Sequence, residues 1–172
     1  MNELINLLKT FSTENFPVKK IDNFLANYKL PKTEIKDYIK FINKSYARHL
    51  VYKDSNFELL FLCWKPGQKA PIHGHEGEKC WMRVEEGALC FTNYNLISTD
   101  PLKLDMIDRT KGEAGYLDGP ADVHSVENIY DENSISLHIY AKPYGSCDIY
   151  NTDSGLVSRK QLFYDTKYKS TC

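Results

Sequence analysis

The chain has 172 residues, 42% of them hydrophobic and 26% charged, with a net charge of −1. That length suits one domain with a full core, and near-neutrality removes any broad electrostatic case for nucleic acid or an anionic membrane as partner. Five cysteines, an odd number with no C-x-x-C pair, point to a reducing compartment rather than a disulfide framework.

The opening segment, M-N-E-L-I-N-L-L-K-T-F-S, lacks the basic start, long apolar run and cleavage site of an export signal. No apolar stretch approaches the roughly 20 residues needed to span a bilayer, so the expectation is a soluble cytoplasmic protein. Residues 1–45 read as helical. Leu4, Ile5, Leu7, Leu8 and Phe11 share one side at helical spacing, and Val18, Ile21, Phe24, Leu25 and Tyr28 do the same. A third helix is expected to open at Pro31 and to carry Ile35, Tyr38, Ile39 and Ile42 on one stripe.

The period then changes. F-E-L-L-F-L-C-W, K-C-W-M-R-V-E-E, A-L-C-F-T-N-Y-N, L-K-L-D-M-I-D-R, D-V-H-S-V-E-N-I and S-I-S-L-H-I-Y-A are short runs rich in β-branched and aromatic residues. Turn formers such as P-G-Q, E-G-A, L-D-G-P and Y-D-E-N separate them. The pattern predicts a mainly β protein, a small sandwich or barrel, with the helices packed at one end. A single domain over 1–172 follows, with 1–45 its helical part and 46–172 its β part.

Within G-Q-K-A-P-I-H-G-H-E-G-E-K-C, His73 and His75 are one residue apart in a chain with five histidines. On a strand, residues i and i+2 share a face, so these imidazoles project side by side. His124, in D-V-H, is the candidate third ligand from a later strand, and neutral imidazoles suit first-row metals. Glu76 and Glu78 read as solvated loop charges. Ser136, His138 and Tyr140 alternate in S-L-H-I-Y and share one strand face; by period alone that polar stripe faces either inward or outward.

The spacing from Gly67 through His73, His75 and position 80 to Gly87 resembles the first signature of the cupin superfamily, and His124 to Asn128 the end of the second. Gly119 and Pro120 lie near, but not at, the second signature's offsets. The cupin pattern carries glutamate at position 80, where this chain has Cys80. H-G-H-E-G-E-K-C, D-V-H-S-V-E-N and S-L-H-I-Y, with Y-A-R-H-L-V and F-E-L-L-F-L-C-W upstream, are similar to the cysteine dioxygenases of the thiol dioxygenase family over about residues 46–150.

That resemblance implies a cupin double-stranded β-helix and a mononuclear ferrous ion, Fe(2+), held by His73, His75 and His124. It implies a thioether cross-link between Cys80 and Tyr140, a Ser136–His138–Tyr140 relay, a substrate-carboxylate clamp at Arg48 with Tyr46 beside it, and Cys147 near the pocket lining. The reaction implied is L-cysteine plus O2 giving cysteine sulfinic acid, in a monomer with no nucleic-acid or membrane partner. Three other readings remain open: a dioxygenase of another thiol such as 3-mercaptopropionate or cysteamine, a non-catalytic metal-binding cupin sensor, and a sugar isomerase, which the lack of a carboxylate at position 80 disfavours. Cys63, in an apolar run, is expected to serve packing.

Overall fold

The computed structural model of the chain describes residues 1–120 and 122–167; Cys172 falls outside them. Helices α1 (Asn2–Thr13), α2 (Val18–Asn27) and α3 (Lys32–Ile35) come first, and α3 runs into a 3-10 turn over Lys36–Tyr38. The strands follow as β1 (Ala47–Lys53), β2 (Glu58–Trp64), β3 (Lys69–Gly74), β4 (Lys79–Glu86), β5 (Ala88–Thr99) and β6 (Leu102–Glu113). After them come β7 (Leu117–Asp118), β8 (Val123–Glu127), β9 (Ser134–Ala141), β10 (Ser146–Asn151), β11 (Leu156–Gln161) and β12 (Thr166–Lys167).

The strands form two sheets of six, ordered β12-β1-β2-β9-β4-β7 and β11-β10-β3-β8-β5-β6. All but the β12–β1 pairing, which is parallel, are antiparallel. The six runs read as strands from sequence each form one. The short or polar strands β7, β10, β11 and β12 lack the apolar alternation that would have marked them.

Strands β2 and β9 are buried along their whole length because both of their faces are covered. On the outer face Leu59, Phe61, Cys63, Ile135, Leu137 and Ile139 meet Leu4, Leu8, Ile21 and Leu25 of the helices. On the inner face Leu60, Leu62, Trp64 and Tyr140 meet Ala70, Leu89, Phe91 and Val126 of the opposite sheet. Each such side chain contributes about 1.5–3 kcal/mol on burial, and the two layers fix which face of β9 looks inward. Polar tethers set the helix docking: Trp81 Nε1 donates to Asp22 Oδ1 at 2.8 Å, and Arg83 Nη1 donates to the carbonyls of Leu25 and Tyr28 at the end of α2.

The third helix is shorter than its stripe implied, and Pro31 sits at its N-cap. Ile39 is already extended, at φ −92° and ψ 104°. Tertiary contacts take over from helical periodicity there. Tyr38 packs on Phe61 with ring centroids 5.7 Å apart, and the Lys40 carbonyl lies 2.7 Å from Nε2 of buried His49.

Two signature positions have local structural causes. Gly87 has φ +74° in the β4–β5 turn, where a Cβ would fall 2.5 Å from Ser134 Oγ. Asn128 is fully buried and donates from Nδ2 to the carbonyls of Trp64 (3.2 Å) and Glu132 (2.8 Å).

Candidate active site

His73 on β3 and His124 on β8 are directly paired across the two strands. Strand β3 ends at Gly74, so His75 stands at the start of the following turn rather than inside the strand; its backbone N–H donates to the Asp122 carbonyl at 3.2 Å. The three imidazoles nevertheless converge. One ligand atom from each lies within 4.8 Å of the others, and ring centroids are 5.2, 4.7 and 4.9 Å apart. His73 Nδ1 is 2.8 Å from the Pro71 carbonyl. A carbonyl only accepts, so the proton sits on Nδ1 and Nε2 keeps its lone pair for a ligand.

Burial pushes the His73 and His124 pKa values well below the usual imidazole range, and the neighbouring imidazoles add to this. Neutral rings are the form that binds metal. The donors are all nitrogen and sit in the barrel interior, which fits a divalent first-row ion. Glu76 and Glu78 are exposed, and Glu76 pairs with Arg159.

Facing the imidazoles from the other sheet is the inner row of β9. The polar stripe points inward: Ser136, His138 and Tyr140 are all buried. Ser136 Oγ lies 2.8 Å from His138 Nε2, and His138 Nδ1 lies 3.1 Å from the Tyr140 hydroxyl. The row extends one residue further than the sequence indicated, because Trp64 Nε1 donates to Ser136 Oγ at 2.9 Å. An indole only donates. Neutral His138 has one N–H, so the row takes one of two orders: Ser136 O–H to Nε2 with Nδ1–H to the phenol oxygen, which leaves the phenol proton over, or Tyr140 O–H to Nδ1 with Nε2–H to Ser136 Oγ, which leaves the Ser136 proton over. Burial, followed by Arg48, depresses the His138 pKa and keeps this ring neutral.

Tyr140 pairs directly with Cys80 of β4 on one side and Glu58 of β2 on the other. Its ring is 5.9 Å from that of His75 and 4.7 Å from that of Tyr144. Burial raises the phenol pKa, and the Cys80 thiol raises it further while Arg48 opposes them. Cys80 itself is pushed well above a normal thiol by burial and then by Asp118.

Arg48, on the inner parity of β1, is only 7% exposed. Its guanidinium carbon lies 5.8 Å from the Tyr140 ring and 6.0 Å from the Tyr164 ring. Nε and Nη2 have no hydrogen-bond partner among the described residues. Burial works against the charge, but the oxygens of Tyr140, Tyr46, Tyr144 and Glu58 outweigh it and raise the pKa. Tyr46, Arg48, His73, Tyr144, Cys147 and Leu162 line one small cavity. Cys63 lies in the helix–sheet core, its thiol raised to about 11 by burial.

Glu58, Trp64, Asp118, Tyr144 and Tyr164 were not singled out by the sequence. Glu58 and Trp64 had a usable signal, since they share the inner parity of F-E-L-L-F-L-C-W with Leu60 and Leu62. Glu58 is wholly buried; it accepts the Tyr164 hydroxyl and sits 3.4 Å from Lys53 Nζ. Asp118 hid inside the turn-forming run L-D-G-P. Tyr144 and Tyr164 stand in segments without strand periodicity, and Tyr164 lies beyond the reach of the sequence resemblance.

Known structures share the architecture. A double-stranded β-helix protein from Klebsiella pneumoniae aligns with a TM-score of 0.55 at 19% identity, over 71% of this chain and 97% of that one. A protein from Thermus thermophilus, TT1209, aligns at 0.53 and 17% identity, over 67% of this chain and 100% of its own. At these identities the likeness establishes the fold, a cupin-type double-stranded β-helix. Sequence relatives go further. Human and Danio rerio proteins named cysteine dioxygenase type 1 are each 26% identical to it, over 96% of this chain and 86% and 87% of theirs. The family model described as cysteine dioxygenase type I matches residues 1–153, a span that takes in the three imidazoles, Arg48 and the whole inner row of β9. The chain belongs to the cysteine dioxygenase type I family.

Proposed function

We propose that the protein converts L-cysteine and O2 to cysteine sulfinic acid, with His73, His75 and His124 holding a ferrous ion. One observation carries this reading: the unpartnered guanidinium N–H groups of Arg48 share a cavity with His73 of the three-imidazole cluster. A ferrous ion held by these three imidazoles would supply a Lewis acid that favours a thiolate over a thiol, and a source of electrons for O2.

The chain's own groups supply selection and positioning. Arg48 binds the substrate carboxylate, because a planar, permanently charged fork matches its two oxygens. Tyr46, Tyr144, Cys147 and Leu162 close the cavity around the amino thiol and exclude water. When the His138 proton is on Nδ1, its bond to the Tyr140 oxygen leaves the phenol proton free to point at the carboxylate or at oxygen. We read Cys80 and Tyr140, opposed across β4 and β9, as the partners of a thioether, in which the Cys80 thiol and a Tyr140 ring carbon each lose one hydrogen and O2 takes up the electrons and protons. That bond removes the ring's freedom to rotate.

Among the described residues, four buried free thiols, Cys63, Cys80, Cys90 and Cys147, support a reducing, cytoplasmic setting. Among the described residues, no helix is long and apolar enough to cross a membrane. We read residues 1–172 as one domain that acts as a monomer.

Oxygen uptake measured side by side with L-cysteine, 3-mercaptopropionate and cysteamine tests the reading. L-Cysteine is expected to have the highest kcat/KM, and cysteamine, which offers Arg48 no carboxylate, the lowest. Preference for 3-mercaptopropionate would reassign the substrate within the same chemistry. An iron-loaded protein inactive on all three would favour a sensor.

A further inference from the structure

Neutral imidazoles leave a dication with its full charge inside the barrel, and Arg48 adds another positive charge to the same chamber. Burying uncompensated charge is costly. Position 80, where the cupin signature carries glutamate, is Cys80, and Glu76 and Glu78 are exposed. A carboxylate does lie behind the imidazoles. Asp118 of β7 is buried, and its Oδ2 lies 3.5 Å from His124 Nδ1, a long contact that meets donor geometry.

The local backbone holds it there. Asp118 pairs with Met82 of β4, two residues from Cys80, and its charge is felt at the Cys80 thiol. Asn93, the neighbour of His124 across β5 and β8, donates its side-chain amide to Asp108 Oδ1 at 3.2 Å. Gly119 lets the chain close on β4: its φ is +127°, and a Cβ would fall 2.4 Å from the Cys80 carbonyl.

We propose that Asp118 is a positioning residue of the metal centre: it accepts the Nδ1–H of His124, turns Nε2 toward the ion, and supplies the negative charge that the three imidazoles lack. His73 gets the same orientation from the neutral Pro71 carbonyl. A carboxylate does more, because it makes the ring a more basic ligand and compensates the cation through it. This rests on the reading of His73, His75 and His124 as ligands.

The test is anaerobic titration of metal-free protein with ferrous ion alone, in the wild type, Asp118→Asn and Asp118→Ala, with thermal melts of each metal-free form. Asp118→Ala is expected to bind iron about 10–100-fold more weakly. Asp118→Asn keeps an acceptor and loses only the charge, so it falls between the two, and it carries the test if the alanine variant does not fold. A residue that merely supports the fold would lower the metal-free melting temperature and leave iron affinity unchanged. Wild-type affinity in both variants overturns the proposal alone, whereas a wild type that binds no iron overturns the ligand reading with it.

Discussion

Cys80 and Tyr140 sit directly opposite each other on β4 and β9, both facing the barrel interior. Opposed residues of an antiparallel pair have Cβ atoms about 4.5–5.5 Å apart, so a thioether needs side-chain rotation and no strand movement. After aerobic turnover with iron and L-cysteine, intact-mass analysis is expected to show a species lighter by two hydrogens. Peptide mapping should join the Cys80 and Tyr140 peptides, and Cys80→Ser should abolish that species. Peptides that always separate would remove the cross-link from the account.

Arg48 is nearly buried and lines the cavity, and its Nε and Nη2 have no partner among the described residues. Arg48→Ala should raise KM for L-cysteine and cut kcat/KM by an amount equivalent to about 2–5 kcal/mol, the range for truncating one partner of a buried charge pair in binding. Arg48→Lys should recover little, because an ammonium cannot reproduce the fork. Cysteamine turnover should change far less. Unchanged cysteine kinetics with iron retained would detach Arg48 from the substrate.

The relay predicts a split between chemistry and stability. Tyr140→Phe should lower kcat by about a hundredfold, the lower end for a positioned acid–base group, with a small effect on the melting temperature. Ser136→Ala leaves the Trp64 indole and His138 Nε2 without the partner each has now. It should cost about 1–3 kcal/mol of stability, visible in urea unfolding. A silent Ser136→Ala would contradict the hydrogen-bonded contacts of this row.

His138 links pH to folding. Its pKa is held well below the unfolded value of 6.5, by burial first and Arg48 next. Below about pH 6.5 the unfolded chain takes up a proton that the folded chain refuses. Stability from this group is therefore complete above that pH and drains as the pH falls, by at most about 1.4 kcal/mol per pH unit. Unfolding of metal-free protein between about pH 7.5 and 5.5 should show the loss, and His138→Gln should give a shallower slope. Identical slopes would contradict it.

Much of this site was legible in the sequence because strand parity is a strict rule. The alternation of Ser136, His138 and Tyr140 fixed a shared face, and the H-x-H spacing brought His73 and His75 together although His75 stands just past the strand. Parity could not say whether the face of β9 looked in or out. That was decided by the helices, which cover Ile135, Leu137 and Ile139 on the other side. Asp118 and Tyr164 were beyond reach for a different reason: Asp118 sits in a strand of two residues, too short for a period, and Tyr164 meets Glu58 from far along the chain. The third helix failed its stripe because its apolar residues serve the sheet instead of one another.

Ferrous-ion binding to the metal-free protein, followed by O2 consumption with L-cysteine, tests the central claim most directly. The expected result is saturation at one iron per chain, loss of binding in a folded His124→Ala variant, and O2 uptake matched by cysteine sulfinic acid. Iron refused by the intact trio of imidazoles, or bound equally well without His124, would contradict it.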